Sequence, residues 1–119
     1  MGPYVPNGSY RQTSINIQVT LSADCETVSG SWTHSTLDLT NSNYVSVENN
    51  NGTLTISGSA SPTPGYVPGG SYQQTSKNIR VTLSADCQKT DGSRNHSLLD
   101  ITNLNNADVE NQNGVLVAV

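Results

Sequence analysis

From Asn16 to Ala23 polar and apolar residues alternate without a break, with Ile17, Val19, Leu21 and Ala23 on one side and Asn16, Gln18, Thr20 and Ser22 on the other. A period of two predicts a half-buried antiparallel strand. A second strand is expected after Cys25, bent back at Ser29-Gly30, and a third over Trp32 to Leu39 with Leu37 and Leu39 inward, making a three-stranded meander. Thr40-Asn41-Ser42-Asn43 breaks the pattern, because Asn and Ser side chains compete for backbone hydrogen bonds, and predicts a turn or a short 3-10 segment. Tyr44, Val45 and Val47 resume the apolar set. Asn51-Gly52 then marks a two-residue type I′ hairpin turn, both of whose central positions need positive φ, with Leu54 and Ile56 on the return strand. Ahead of the first strand, Gly2-Pro3 and Pro6-Asn7-Gly8 are turn formers that lead into Ser9 to Thr13, a polar stretch expected to be extended and exposed.

The same pattern occurs twice. Gly8 to Cys25 is matched by Gly70 to Cys87, and Tyr4 to Leu54 aligns with Tyr66 to Leu116 without a gap at an offset of 62 residues. Roughly two-thirds of the aligned positions are identical, so the chain is a tandem duplication, 1–62 and 63–119. Ser57 to Pro64, with two prolines, is the linker. In the second copy Ile79, Val81, Leu83 and Ala85 repeat the inward face, Leu99 and Ile101 answer Leu37 and Leu39, and Asn113-Gly114 answers Asn51-Gly52. The differences fall mostly on polar positions: Arg11 becomes Gln73, Glu26 becomes Gln88, Thr27 becomes Lys89, Val28 becomes Thr90 and Trp32 becomes Arg94. Equivalent surfaces therefore carry different chemistry.

Composition narrows the partners. With 33% hydrophobic residues, no Phe and one Trp, the core must be built from Val, Ile, Leu and Tyr, and a half-chain of 55–60 residues would bury only about 60% of its surface. Two independent half-size cores are not expected. A net charge of −4 with 12% charged residues offers no basic surface for phosphates, so neither nucleic acid nor membrane insertion is expected. Met1-Gly2-Pro3-Tyr4 lacks the basic and apolar regions of a signal peptide, as expected of a mature chain with an initiating Met added. Cys25 and Cys87 occupy equivalent positions in the two copies, and neither has a second Cys within its own repeat.

Three constellations point to other chemistry and carry little. His34-Ser35…Asp38 and His96-Ser97…Asp100 contain hydrolase residue types, but a triad is a geometry with an oxyanion hole, and here the residues follow strand alternation without a nucleophile elbow. No enzyme is expected. Two His and two Cys lack Cys-x-x-Cys or His-x-x-x-His spacing, so neither a metal nor another cofactor is expected. Asn7-Gly8-Ser9, Asn51-Gly52-Thr53 and Asn95-His96-Ser97 fit a glycosylation pattern and are read first as turns.

Gln-Thr-Ser-Ile-Asn-Ile, Leu-Ser-Ala-Asp-Cys, Ser-Thr-Leu-Asp-Leu and Glu-Asn-Asn-Asn-Gly-Thr-Leu, in that order and then again in variant form, resemble the cyanovirin-N homology family over nearly the whole chain. The resemblance implies an all-β fold of two pseudo-symmetric subdomains, each a three-stranded sheet plus a β-hairpin, with short 3-10 turns and segments exchanged between the repeats. It places subdomain A at about 1–44 plus 107–119 and subdomain B at about 45–106. It also implies a metal-free lectin for α1→2-linked mannose of high-mannose glycans, partnered by mannose-containing glycans or glycoproteins. A monomer is expected, with a swapped dimer as the other arrangement. The alternative is a structural or protein-binding β-module without sugar affinity.

Carried over by motif, the family's first site falls on Ser9, Gln12, Thr13, Glu26, Thr27, Val28, Asn111 and Asn113. Its second falls on Ser71, Gln74, Thr75, Gln88, Lys89, Thr90, Asn49 and Asn51. Sugar hydroxyls both donate and accept hydrogen bonds, and amides, hydroxyls and a carboxylate suit them. The first site, which keeps the Glu26 carboxylate, is expected to bind better. The family's paired cysteines are broken here, since their N-terminal members are Ser14 and Ser76.

Overall fold

A computed structural model describes all residues, Met1–Val119. Each repeat contributes a one-turn helix, a long strand, a shorter strand and a hairpin. In the first these are α1 (Tyr10–Thr13), β1 (Ser14–Glu26), β2 (Trp32–Asp38), β3 (Val45–Asn50) and β4 (Thr53–Ser59); in the second, α2 (Tyr72–Thr75), β5 (Ser76–Gln88), β6 (Arg94–Asp100), β7 (Val109–Gln112) and β8 (Val115–Ala118). The body is long and narrow, 52 × 28 × 20 Å.

The expected meander is not what forms. No Gly or Pro interrupts Ser14 to Cys25, and β1 runs straight through as a 13-residue strand, so the segment after Cys25 is a turn over 27–31 and not a second strand. Without a reversal, the first half of β1 cannot fold back on the second half. Its partner comes instead from the other repeat: β1 pairs antiparallel with β5, Ser14 opposite Cys87 and Cys25 opposite Ser76. With β2 on β1 and β6 on β5, the result is a four-stranded sheet in the order β2-β1-β5-β6. Within it two three-stranded regions overlap. Residues 20–26 of β1 lie between β2 and the start of β5, and residues 82–88 of β5 lie between β6 and the start of β1.

Register shifts at Ile15/Gln18 and Ser22/Asp24 mark where one region hands over to the other. At the handover Asn16 and its counterpart Asn78 both take φ of 54°, a left-handed conformation that Asn tolerates better than most residues. Each Asn amide donates across to a carboxylate of the opposite strand, Asn16 to Asp86 and Asn78 to Asp24, both at 2.8 Å. Those carboxylates also hold His96 at 2.7 Å and His34 at 2.9 Å. The amide first, and then the imidazole, keeps each Asp below the usual carboxylate range.

The stretch before each long strand also departs from expectation. Ser9 to Thr13 is neither extended nor wholly exposed: Tyr10–Thr13 closes one helical turn and Tyr10 is fully buried, its hydroxyl donating to the Pro6 carbonyl at 2.7 Å. Tyr72 repeats this on Pro68 at 2.6 Å. A buried phenol needs such a partner. The segments in front of α1 and α2 reach across to the hairpins of the opposite repeat. Gly8 and Gly70 lie so close to β7 and β3 that an added Cβ would meet the Val109 carbonyl at 2.0 Å and the Val47 carbonyl at 2.1 Å.

Two ends result. One combines 20–38, the β3–β4 hairpin and the start of the second repeat through residue 80; the other combines 82–100, the β7–β8 hairpin and the start of the first repeat through residue 18. The segment exchange implied by the resemblance thus extends into the long strands. The inward faces behave as the alternation predicts: Val19, Leu21, Ala23 and Cys25, with Val81, Leu83, Ala85 and Cys87, are fully buried in one continuous core. Replacing Leu21 or Leu83 by Ala in so small a core costs about 2–5 kcal/mol.

Candidate carbohydrate-binding ends

At each end one asparagine gathers three chain segments. Asn49, the fifth residue of β3, donates its amide to the Glu26 carbonyl at 2.8 Å and to the Thr75 hydroxyl at 3.0 Å, while its Oδ1 accepts from the Gly52 N–H at 2.7 Å. Asn111 does the same at the other end, donating to the Gln88 carbonyl at 2.8 Å and the Thr13 hydroxyl at 3.0 Å and accepting from Gly114 at 2.7 Å. The turn asparagines add a second tie. Asn51, at φ 48°, accepts from the Val28 N–H at 3.0 Å, and Asn113, at φ 49°, accepts from the Thr90 N–H at 2.9 Å and its hydroxyl at 3.2 Å.

The sixteen residues carried over from the resemblance therefore stand at the two ends of the molecule, but in a different grouping. Ser71, Gln74 and Thr75 meet Glu26, Thr27, Val28, Asn49 and Asn51. Ser9, Gln12 and Thr13 meet Gln88, Lys89, Thr90, Asn111 and Asn113. Relative to the expected sets, 26–28 and 88–90 have changed places. The cause is the unbroken long strand: the C-terminal end of β1 arrives beside Ser76, the start of β5, and not beside its own Ser14. Glu26 consequently leaves Asn111 and joins Asn49.

The rims of these clusters are open. Gln12, Gln74, Glu26 and Gln88 are exposed, and none of their side chains bonds to the protein. Beneath them the 27–31 turn is fixed by Thr27, which shares hydrogen bonds with Ser29 at 2.9 Å and Ser31 at 2.8 Å, and the 89–93 turn by Asp91, which accepts from the Ser93 N–H at 2.9 Å and its hydroxyl at 2.5 Å. Each end is thus a shallow platform of free donors and acceptors on a hydrogen-bonded base.

One residue joins an end that the motif set omitted. Trp32 pairs with Glu26 across β1–β2, is 45% exposed, and carries the Lys77 ammonium 4.1 Å from its ring centroid. The difference between copies, Trp32 against Arg94, was the available signal. The hydrolase residue types, by contrast, do not converge. His34 bonds Asp24 and not Asp38, Asp38 accepts from Thr40, and the Ser35 hydroxyl accepts from the Leu54 N–H at 3.0 Å. Cys25 and Cys87 are buried free thiols, each facing a serine of the other repeat, and the Ser76 hydroxyl donates to Cys25 Sγ at 3.5 Å.

A model of the CVNH domain matches residues 10–117. Among solved structures, an NMR structure of a designed cyanovirin-N homolog lectin is similar at 22% identity, over 93% of this chain and 99% of that one, with a TM-score of 0.20. Among curated proteins no match is found. The family model spans most of both copies of the repeat and every end-cluster residue except Ser9, and the chain belongs to the CVNH domain family, a family of carbohydrate-binding lectins rather than enzymes.

Proposed function

We propose that this chain binds α1→2-linked mannose at the tips of high-mannose glycans, through the Asn49 and Asn111 ends and without a metal ion. The observation that carries the reading is the repeated asparagine clamp. It fixes a Thr hydroxyl and two strand or turn ends together while leaving the neighbouring Gln and Glu side chains unbonded at the rim. Groups held in place before the ligand arrives lose little freedom on binding, which is where affinity for a weakly apolar sugar has to come from. Neutral amides, hydroxyls and one carboxylate match sugar hydroxyls, so the reading requires no ion.

The Asn49 end is the tighter of the two in this reading. A hydrogen bond to a charged group contributes about 1.5–3 kcal/mol and a neutral one about 0.5–1.5, and Glu26 supplies a carboxylate where the equivalent position of the other end is the neutral Gln88. The test is titration of the ¹⁵N-labelled chain with the α1→2 mannose disaccharide. Amides of Glu26–Val28, Asn49 and Thr75 shift first, those of Gln88–Thr90, Asn111 and Thr13 at higher sugar, and Glu26→Ala weakens the first set more than Gln88→Ala weakens the second. A wild-type chain with no shifts on any mannoside would overturn the lectin reading.

A further inference from the structure

Between the two ends, where the linker and both repeats meet, lies a cleft of about 390 Å³, within the roughly 300–1,000 Å³ typical of small-ligand sites. Its walls include Tyr44 from the first repeat, Tyr66 from the second, and the side chains of Arg11, Asn7, Asn106 and Asp108. We infer that this cleft is a third saccharide site, taking a single hexose residue with its ring against Tyr44 and its hydroxyls on the polar side chains.

The inference rests on the lectin reading and on three observations of the cleft itself. Arg11 is partly buried and held rigid, its Nε donating to the Pro6 carbonyl at 3.1 Å and one terminal nitrogen to the Val5 carbonyl at 2.9 Å, yet no carboxylate lies within ion-pair distance of it. Its remaining donors are unspent. The side chains of Asn7, Asn106 and Asp108 are exposed and make no bonds within the protein, so amide, carboxylate and guanidinium groups free of protein partners line one space. Such planar groups reach two adjacent hydroxyls at once, which is what a pyranose presents. Tyr44 is set edge-on against buried Tyr4, 5.7 Å between centroids at 72°, and this packing fixes its ring as a wall for the apolar face of a sugar.

The duplication sharpens the point. At the equivalent positions of the other copy Arg11 is Gln73, Asn7 is Gly69, Asp108 is Ser46 and Tyr44 is Asn106, so the cleft's chemistry was assembled once and not twice. Gln73 also separates structure from binding. Its amide makes the same bond to the Pro68 carbonyl, at 3.1 Å, that Arg11 makes to Pro6, so Arg11→Gln keeps the tie to the turn and removes the free guanidinium donors together with the bond to the Val5 carbonyl.

The experiment is a titration of the ¹⁵N-labelled full chain with α-methyl mannoside and with the α1→2 disaccharide, comparing wild type, Arg11→Gln and Asp108→Ser. Amides of Tyr44, Gly65, Tyr66 and Ala107 are expected to shift with a midpoint of their own. Arg11→Gln should move that midpoint about ten-fold higher, as loss of a charge-assisted hydrogen bond does, with the shifts at both ends unchanged. Asp108→Ser, whose side chain holds nothing in the fold, should act in the same direction. Cleft amides that stay still at sugar concentrations saturating the ends would overturn this site and leave the lectin reading intact, as would equal midpoints in all three proteins. Silence at the ends and the cleft alike would remove both.

Discussion

The Asn49 and Asn111 ends share a base and differ at the rim. The asparagine, the threonine it holds, the turn asparagine and the Gly after it are the same residues in both copies, with distances that agree within 0.1 Å for the main ties. Above that base one end carries Glu26 and Trp32 with Lys77 on the ring, and the other carries Gln88, Lys89 and Arg94. The base cannot change without releasing three segments at once. The rim can, because its exposed Glu and Gln side chains hold nothing in the fold. The comparison teaches that duplication here kept one scaffold and left its edge free to differ.

The comparison breaks most severely if each end can exist within one repeat. Chains 1–62 and 63–119, made separately, are expected to be unfolded as monomers, since each long strand loses the neighbour along half its length; cooperative unfolding of a monomeric half in denaturant would contradict the interlaced sheet. Ser76→Cys should form a bridge to Cys25, and Ser14→Cys a bridge to Cys87, because these pairs lie directly opposite in the β1–β5 register. Closing loops of that length stabilises by about 4 kcal/mol in the chain-entropy model. Peptide mapping decides the topology: in the Ser14→Cys variant, a bridge from the new thiol to Cys25 would put each strand back on its own repeat.

A smaller effect is expected from the clamps. Asn49→Ala should lower stability by about 1–2 kcal/mol, move the amides of 26–28 and 75, and abolish sugar shifts at that end alone. Movement at 88–90 instead would restore the grouping first expected from the resemblance. The smallest effect lies in acid. Asp24 and Asp86 have folded pKa values depressed by the amides of Asn78 and Asn16, so their contribution is fully present above the unfolded value of about 3.9 and is lost as pH falls below it. The double variant Asn16→Ala, Asn78→Ala should flatten the decline in stability below about pH 4 and leave its pH dependence above about pH 5 unchanged.

The alternation of Asn16 to Ala23 is enough to place the core face, and Asn51-Gly52 and Asn113-Gly114 are enough to place the hairpins, because both signals are local. The sixteen rim and clamp residues are legible too, through the motifs that carry them. Their pairing is not. Which strand lies beside which is decided by whether the chain reverses between Ser14 and Cys25, and the only sign of that is an absence: eleven steps with no Gly or Pro to turn on. At roughly 3.3 Å per residue that straight run separates Ser14 from Cys25 by roughly 35 Å, too far for them to share an end. Tyr10 is hidden for a different reason. A tyrosine among polar neighbours reads as surface, and only the Pro6 carbonyl, four residues back, makes its burial tolerable.

The crossing of β1 and β5 also bears on origin. A lone repeat of this kind has no strand to lay beside the first half of its own, and the antiparallel register that now joins the two copies would be satisfied equally by a second identical molecule. Each end cluster would then be built from two chains, and its assembly would rise and fall with protein concentration. Residues 60–64, which follow β4, convert that encounter into an intramolecular one, so a platform that two chains would otherwise share is a property of one molecule.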